Sequence, residues 1–437
     1  MKYLIVPLCP KYFLMLDRKV APTIHKTEKL IFPEYELYQW ANGTQVCEIN
    51  LGSQEILKVE VVHVAGRSAE RHHLASRAVS SLIKDGCKDK TSTMIAEEID
   101  YYGSSIKTAS NMDFSYTTLY CLTKFSEKAI RQLYDIYTYP TFPEDEIEKF
   151  KHVNIQKLKE ELTKNEVITY RQITEEIFGK NHPYGYNSTE ADYKKLSREI
   201  ILTHYETNYG TDNRFIIISG KINEEVRKTI FNTFGQDHKH CKIKTYTPAI
   251  STPGRKIQLT SKNEHQSAIK TGFKLFNRDH EDNASFFVLN TIFGGYFGSR
   301  LMSSIREDLG YTYDIHSSVD QMLHDGCFYV STEAASEYVQ PLMKEVYHQM
   351  DLLKQQKVKN KELNMVKNYL MGSFMNMLDG PINVSSFVKT MLLTGKQPKD
   401  FLHFAQEVNA VDNVKIQEMA QKYFYDDHMI EVIVGPE

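Results

Sequence analysis

From Tyr35 onward, apolar and polar positions follow one another in a regular order of strand and helix patterns. Tyr35–Trp40, Gln45–Asn50 and Leu57–Val64 are short and broken by Asn42-Gly43 and Gly52-Ser53, with β-branched residues enriched over Val59–Gly66. They predict the opening strands of an antiparallel sheet. Leu74, Ala75, Ala78, Val79, Leu82 and Ile83 recur at helical spacing and Gly86 closes the run, which predicts a helix. Ile95 and Ile99 give Ser92–Tyr102 one apolar face, and alternating strands follow from Gly103 to Thr123. Further helices are predicted over Phe125–Tyr137, Pro143–Thr163 and Leu196–Tyr209, with Glu144, Glu148 and Lys151 on the solvent side of the second. Arg214–Gly220 predicts a strand.

The same order returns. Ser267–Leu275, Tyr311–Val319 and Gly326–Thr332 read as strands, and Asp282–Ile292, Val339–Gln355, Lys361–Asn376 and Asp412–Tyr423 as helices. Between them an apolar segment from Leu289 runs into Gly294-Gly295. A helix over Ser299–Leu309 follows, with Leu301, Ile305 and Leu309 four apart, and Gly310 ends it. Met365, Met371, Met375 and Met377 read as adaptable core packing. The segment Ile201–Tyr209 with Phe215–Gly220 has a counterpart in Ile416–Tyr423 with Ile430–Gly435. Tyr209 and Tyr423 lie 214 positions apart, Gly220 and Gly435 215. One near-constant offset predicts two related domains rather than a solenoid. Residues 241–256, with Pro248, Pro253 and Gly254, are the natural linker. The expected fold class is α+β, each domain a mainly antiparallel sheet packed with helices.

Composition narrows the function. The 437 residues are 41% hydrophobic and 25% charged, which suits a globular chain of two to four domains. A net charge of −3 offers no footprint for nucleic acid or an anionic membrane. Six cysteines, at 9, 47, 87, 121, 241 and 327, include no CxxC pair, and read as reduced structural thiols of a cytoplasmic protein. Pro7, Pro10 and Lys11 interrupt the apolar N-terminal run, so a signal peptide is not expected there. No stretch approaches a membrane span.

Candidate chemistry gathers around Arg306 and Tyr313, a permanent cation and a phenolic donor seven positions apart, on either side of Gly310. A bend rather than helical periodicity must decide whether they meet. Gly-Gly-x-x-x-Ser-Arg-Leu from Gly294, then Ile-Arg-Glu-x-x-Gly-x-x-Tyr from Ile305, resembles the C-terminal half of the insulinase/pitrilysin-like zinc metallopeptidases, the family of the mitochondrial processing peptidase. Phe178–Gly185 matches another signature of that family, in which His182 reads as a turn-packing residue. The resemblance covers nearly the whole chain. It implies an extension at 1–15, an N-terminal peptidase-like domain at 16–240 and a C-terminal one at 257–437. It also implies that the equivalents of Arg306 and Tyr313 face a zinc site held by the other half or another subunit.

Zinc-bearing members carry His-x-x-Glu-His on the helix before a glycine equivalent to Gly86. Residues i, i+3 and i+4 share one face there, so two imidazoles grip the metal and the carboxylate activates its water. Here those places hold Arg77, Ser80 and Ser81. The family's third ligand, a glutamate 76 residues after the second histidine, corresponds to Lys157. Arginine and lysine are cations, and two neutral serines supply neither a good ligand nor a base. No His-Glu-x-x-His occurs elsewhere. His63 reads as an ordinary strand histidine, and His72-His73 and His238-Lys-His240-Cys241 as solvated or packed groups. The family's edge-strand substrate site has Lys107-Thr108 in place of Asn-Ala.

Together these imply a zinc-less, non-catalytic subunit of a heterodimeric metalloendopeptidase, inactive alone. No cofactor is expected on this chain. Zinc is expected on a homologous partner, with short unstructured peptides as substrate and Arg306 and Tyr313 contributed to the partner's site. The alternative is a non-enzymatic scaffold subunit, like the family members of respiratory complexes. Whether the isolated chain is a monomer or a homodimer is open at this point.

Overall fold

The computed structural model describes residues 30–52, 54–241, 246, 248–250, 252–261 and 266–436. The extension at 1–15 with Cys9, the turn residue Ser53 and parts of the 241–256 connection lie outside the described residues. From Phe32 the chain forms one compact unit.

Two mixed sheets organise it. The first contains β1 (Glu36–Gln39), β2 (Gln45–Ile49), β3 (Ile56–His63), β6 (Ser105–Ser110), β7 (Ser115–Leu122) and β8 (Arg214–Gly220), in the order β1-β2-β8-β3-β7-β6. Between β3 and β6, β4 (Gly86–Cys87) and β5 (Lys90–Thr91) form a separate two-stranded ribbon. The second sheet contains β9 (Arg255–Thr260), β10 (Gln266–Leu275), β11 (Ile315–Gln321), β12 (Gly326–Ala335) and β13 (Ile430–Gly435), in the order β11-β12-β10-β13-β9. β2 and β8 are parallel, as are β9 and β13, and the other neighbours are antiparallel. Running from β2 to β6 and from β9 to β11, the two sheets thus repeat one order and one set of strand senses. β9 begins at Arg255, inside the stretch read as connection.

Helices cover these sheets. In the first half they are α1 (Ala75–Leu82), α2 (Ser92–Tyr101), α3 (Ser126–Thr138), α4 (Glu144–Glu161), α5 (Asn165–Phe178), α6 (Glu190–Lys195), α7 (Arg198–Asn208) and α8 (Glu224–Phe234). In the second they are α9 (Asn283–Phe293), α10 (Val339–Gln355), α11 (Asn360–Met377), α12 (Gly380–Leu393), α13 (Pro398–Ala410) and α14 (Asn413–Tyr423). Leu57, Val59 and Val61 of β3 point into one core with Ala78, Val79 and Leu82 of α1 and Ile130 and Leu133 of α3. Among the described residues no helix is long and apolar enough to cross a membrane.

Two helices cross between the halves. Ile173, Ile177 and Phe178 of α5 pack on Tyr329, Ile430 and Val432 of the second sheet. Val384 and Val388 of α12 pack on Cys47, Ile49 and Ile217 of the first. Each sheet is therefore closed on one side by a helix from the other half.

Three expectations are corrected. The predicted helix over Ser299–Leu309 is a π-helix over Met302–Asp308, so the four-residue spacing fails and Leu309 is exposed while Leu301 and Ile305 are buried. The predicted strand from Tyr311 starts only at Ile315. The methionines of α11 are not core, because Leu363, Val366, Leu370 and Phe374 already form its buried stripe. Met365, Met375 and Met377 are exposed and Met371 half-buried.

Candidate functional site

The first element is α1, whose apolar stripe seats it on the sheet and thereby fixes the directions of Arg77, Ser80 and Ser81. Ser80 is buried, its Oγ 2.8 Å from Ser115 Oγ on β7, which in turn bonds the Tyr209 hydroxyl. Ser81 is half-buried. Arg77 is exposed and donates from Nη2 to Asn154 Oδ1 at 3.0 Å across to α4, one turn before the exposed Lys157. The structure thus brings Arg77 to α4, but opposite Asn154 rather than Lys157. A guanidinium, two hydroxyls, an amide and an ammonium do not fit zinc. No group of three or more His, Cys, Asp or Glu that could hold a metal ion occurs among the described residues.

The histidines near this face are engaged in packing. His63 is fully buried against the rings of Tyr137 and Tyr209, with Nε2 2.6 Å from the Tyr137 hydroxyl. Burial, then Arg214 and Lys239, holds its pKa well below the ordinary value. His73 stacks on Tyr186 and contacts Asp192 at 3.2 Å. His182 sits in the turn after α5, where Nδ1 accepts from the Tyr184 amide and the ring packs on Phe178, Tyr184 and Tyr246. His240 and Cys241 both turn toward Asp212. Cys47, Cys87, Cys121 and Cys327 are buried and unpaired, and burial pushes the Cys121 thiol up to about 12.

The second element is the segment 294–314. A Cβ on Gly294 would stand 2.6 Å from the Ser317 amide nitrogen, so only glycine lets α9 end this close to β11, where that amide donates to the Gly294 carbonyl. Arg300 pairs in bidentate fashion with Glu362 of α11 at 2.8 and 3.0 Å, and Ser304 bonds Glu345 of α10. These anchors were not picked out from the sequence. The only sign of them was the Ser-Arg-Leu of the motif, since Glu362 lies 62 positions away.

The π-helix then presents Arg306, half-buried, with its guanidinium 4.9 Å from the centre of the Phe297 ring. Gly310, at φ 67°, turns the chain out of the helix. Beyond it Tyr311 stacks on Tyr338, and Thr312 donates to the Glu333 carbonyl of β12. With its two predecessors pinned, Tyr313 projects outward, 90% exposed. Neither Arg306 nor Tyr313 has a hydrogen-bond acceptor among the described residues, and no hydrogen bond or cation–ring contact joins the two there. The structure places both on one anchored segment without joining them.

Lys107 and Thr108 lie on β6, an edge strand paired only with β7, and the Lys107 ammonium stands 5.8 Å from the Tyr120 ring. β11 is the corresponding edge of the second sheet.

Comparison with known proteins agrees with this architecture. The family model described as the peptidase M16 inactive domain matches residues 195–370, a span that includes the whole 294–314 segment. An uncharacterized zinc protease, YmxG, of Bacillus subtilis (strain 168) is 26% identical over 80% of this chain and 85% of its own length. Subunit 1 of the mitochondrial cytochrome b-c1 complex of Bos taurus, a component of a multi-subunit assembly by its name, is 21% identical over 92% of this chain and 87% of its own. The crystal structure of a peptidase M16 inactive domain from Pseudomonas fluorescens superposes with a TM-score of 0.85 at 18% identity, covering 92% of this chain and 98% of that one. With its two repeated mixed sheets and its glycine-led Arg/Tyr segment, the chain resembles the M16, insulinase-like peptidase family in sequence and in fold.

Proposed function

We propose that this chain is a zinc-less subunit of a heterodimeric metalloendopeptidase, inactive alone, whose partner of the same family carries the metal. The observation that carries this reading is a contrast between two segments. The zinc positions hold Arg77, Ser80, Ser81 and Lys157, with Arg77 committed to Asn154, whereas Arg306 and Tyr313 stand on a rigidly anchored segment with their donors uncommitted among the described residues.

In the assembled pair, the Arg306 guanidinium and the Tyr313 hydroxyl bind the carbonyl of the bond to be cleaved in a short, unstructured peptide. They then stabilise the oxyanion that forms from it. Fixed donors of this kind contribute about 3 kcal/mol each to such a step. The bidentate Arg300–Glu362 pair supports that role by holding the segment without using Arg306. The cytoplasm is the compartment that the unpaired, buried thiols fit.

A second reading, a non-enzymatic scaffold subunit, is favoured by the similarity to the cytochrome b-c1 subunit. Native mass spectrometry of the tagged chain from its own cells separates the two. A complex with a different chain of comparable size and one zinc is the result expected here. A metal-free monomer or homodimer would move the assignment to the scaffold, and zinc on this chain alone would overturn both.

A further inference from the structure

Two adjoining cavities open in the second half. One, of about 520 Å³, is walled by aromatic side chains of α9, α11, α12 and α13, among them Phe287, Phe374, Phe387, Phe401 and Phe404. The other, of about 400 Å³, extends toward Asp113 and Tyr116 of the first half. Arg278, Val319, Gln321, Thr390 and Thr394 line both. Cavities of this size are typical of small-molecule sites.

Arg278 follows β10, reaches solvent, and has no hydrogen-bond or ion-pair partner among the described residues. The surrounding protein lowers its proton affinity by desolvation alone, with no carboxylate compensating. The acids of the two walls are engaged elsewhere. Asp279 pairs with Lys396 at 2.6 Å, Glu407 with His403 at 3.4 Å, and Asp400 accepts from the Gln397 amide. Glu281 acts on Lys422 and Tyr423, while Asp113 and Asp320 accept from Tyr184 and Tyr170. An unpaired arginine therefore stands where an aromatic chamber meets a polar one, with the other cation of the wall, Lys396, taken up by Asp279 and with acids around it that would repel a second negative charge.

We propose that this double cavity binds a small monocarboxylate with an extended apolar body, its carboxylate on Arg278 and its body among the phenylalanines. The planar guanidinium matches a carboxylate in bidentate fashion, and the rings remove the apolar body from water. The inference is independent of the peptidase reading, because it uses neither Arg306 nor Tyr313.

The test is isothermal titration calorimetry of the full chain with dodecanoate below its micellar concentration, and with dodecanol as the uncharged match. Saturable one-site binding of dodecanoate is expected, weakened at least tenfold by Arg278→Met and less by Arg278→Lys, while dodecanol distinguishes none of the three proteins. Phe404→Asp, in the aromatic wall, is expected to weaken dodecanoate independently. No saturable binding, equal affinity in wild type and Arg278→Met, or tighter binding of dodecyl phosphate than of dodecanoate would each overturn the proposal.

Discussion

Lys389 of α12 sets its Nζ 2.6 Å from Oε1 of Glu60 in the middle of β3, across 329 positions of sequence. Lys58 approaches the other carboxylate oxygen at 2.9 Å and donates to Ser385 Oγ at 3.1 Å. Burial pushes the Glu60 carboxyl up, but the two ammonium groups outweigh it and hold its pKa below the ordinary value. This buried cluster ties the crossing helix to the first sheet.

Removing one cation leaves part of a buried charge uncompensated. Lys389→Met is expected to cost about 3 kcal/mol, the low end for breaking a buried pair because Lys58 remains. Urea unfolding should show a lower midpoint at unchanged slope. Lys389→Met with Glu60→Gln should cost less than the two single changes added together.

Arg300 and Glu362 hold the 294–314 segment against α11 through two parallel bonds. Arg300→Lys keeps the charge but loses the fork, at about 1 kcal/mol. Thermal unfolding should register that loss. Hydrogen exchange should rise in 300–310 while β3 remains protected.

Stability should depend on pH through groups of opposite sign. Burial holds His63 well below its ordinary value and His204 down to about 4, so both are neutral in the fold and the unfolded chain binds protons first. Their contribution is present above about pH 6.5 and is lost as pH falls below it. Glu70 behaves oppositely. Burial pushes its carboxyl up to about 7, against hydrogen bonds from Tyr186 and the Ser76 amide and the nearby Arg67. Its contribution is present below about pH 4.3 and is lost as pH rises to about 7. Between about pH 5 and 6, two histidines against one glutamate leave roughly 1.4 kcal/mol lost per unit of acidification. Glu70→Gln should stabilise the protein at pH 8 by about 3 kcal/mol, steepen the acid loss, and give no gain at pH 4.5. Urea midpoints of both proteins across this range check each statement.

Tyr313→Phe removes a group that makes no hydrogen bond among the described residues and Arg306→Ala one that only overlies the Phe297 ring, so each should leave stability within about 1 kcal/mol. Turnover by the reconstituted pair should fall about 100-fold for each, with assembly intact by size-exclusion chromatography. Unchanged turnover in both variants would remove the assignment.

Much of this was legible before any coordinates. Val339–Gln355 and Arg214–Gly220 occur with the predicted ends, and α1 occupies Ala75–Leu82 within the predicted run. The two helices keep a single period because each buries one face, and the strand reads as one from its unbroken β-branched run, buried on both faces. The helices α5, α6, α8, α12 and α13 were not read. α12 carries Ile382, Val384, Phe387, Val388, Met391 and Leu392 around much of its circumference, since it is wedged between the first sheet and its own half. A pattern with no clean polar face does not separate such a helix from a strand or a loop. The wide turn of the π-helix was likewise invisible, because Leu301, Ile305 and Leu309 fit an ordinary helix equally well.

The sequence by itself determined the two repeated sheets, the absence of zinc donors at 77, 80, 81 and 157, and the segment that carries Arg306 and Tyr313. The repeat is carried by local periodicity, whereas the places 77, 80, 81 and 157 and the Arg306/Tyr313 segment were singled out through the family resemblance. Only the tertiary structure decided that Lys58 and Glu60, which alternate with Leu57 and Val59 as a solvent face would, are buried beneath α12. It alone paired Arg77 with Asn154, and left Tyr313 free by pinning Tyr311 and Thr312. Each of these outcomes depends on contacts between residues distant in the chain, and such contacts leave no periodic signal in the strand or helix that bears them.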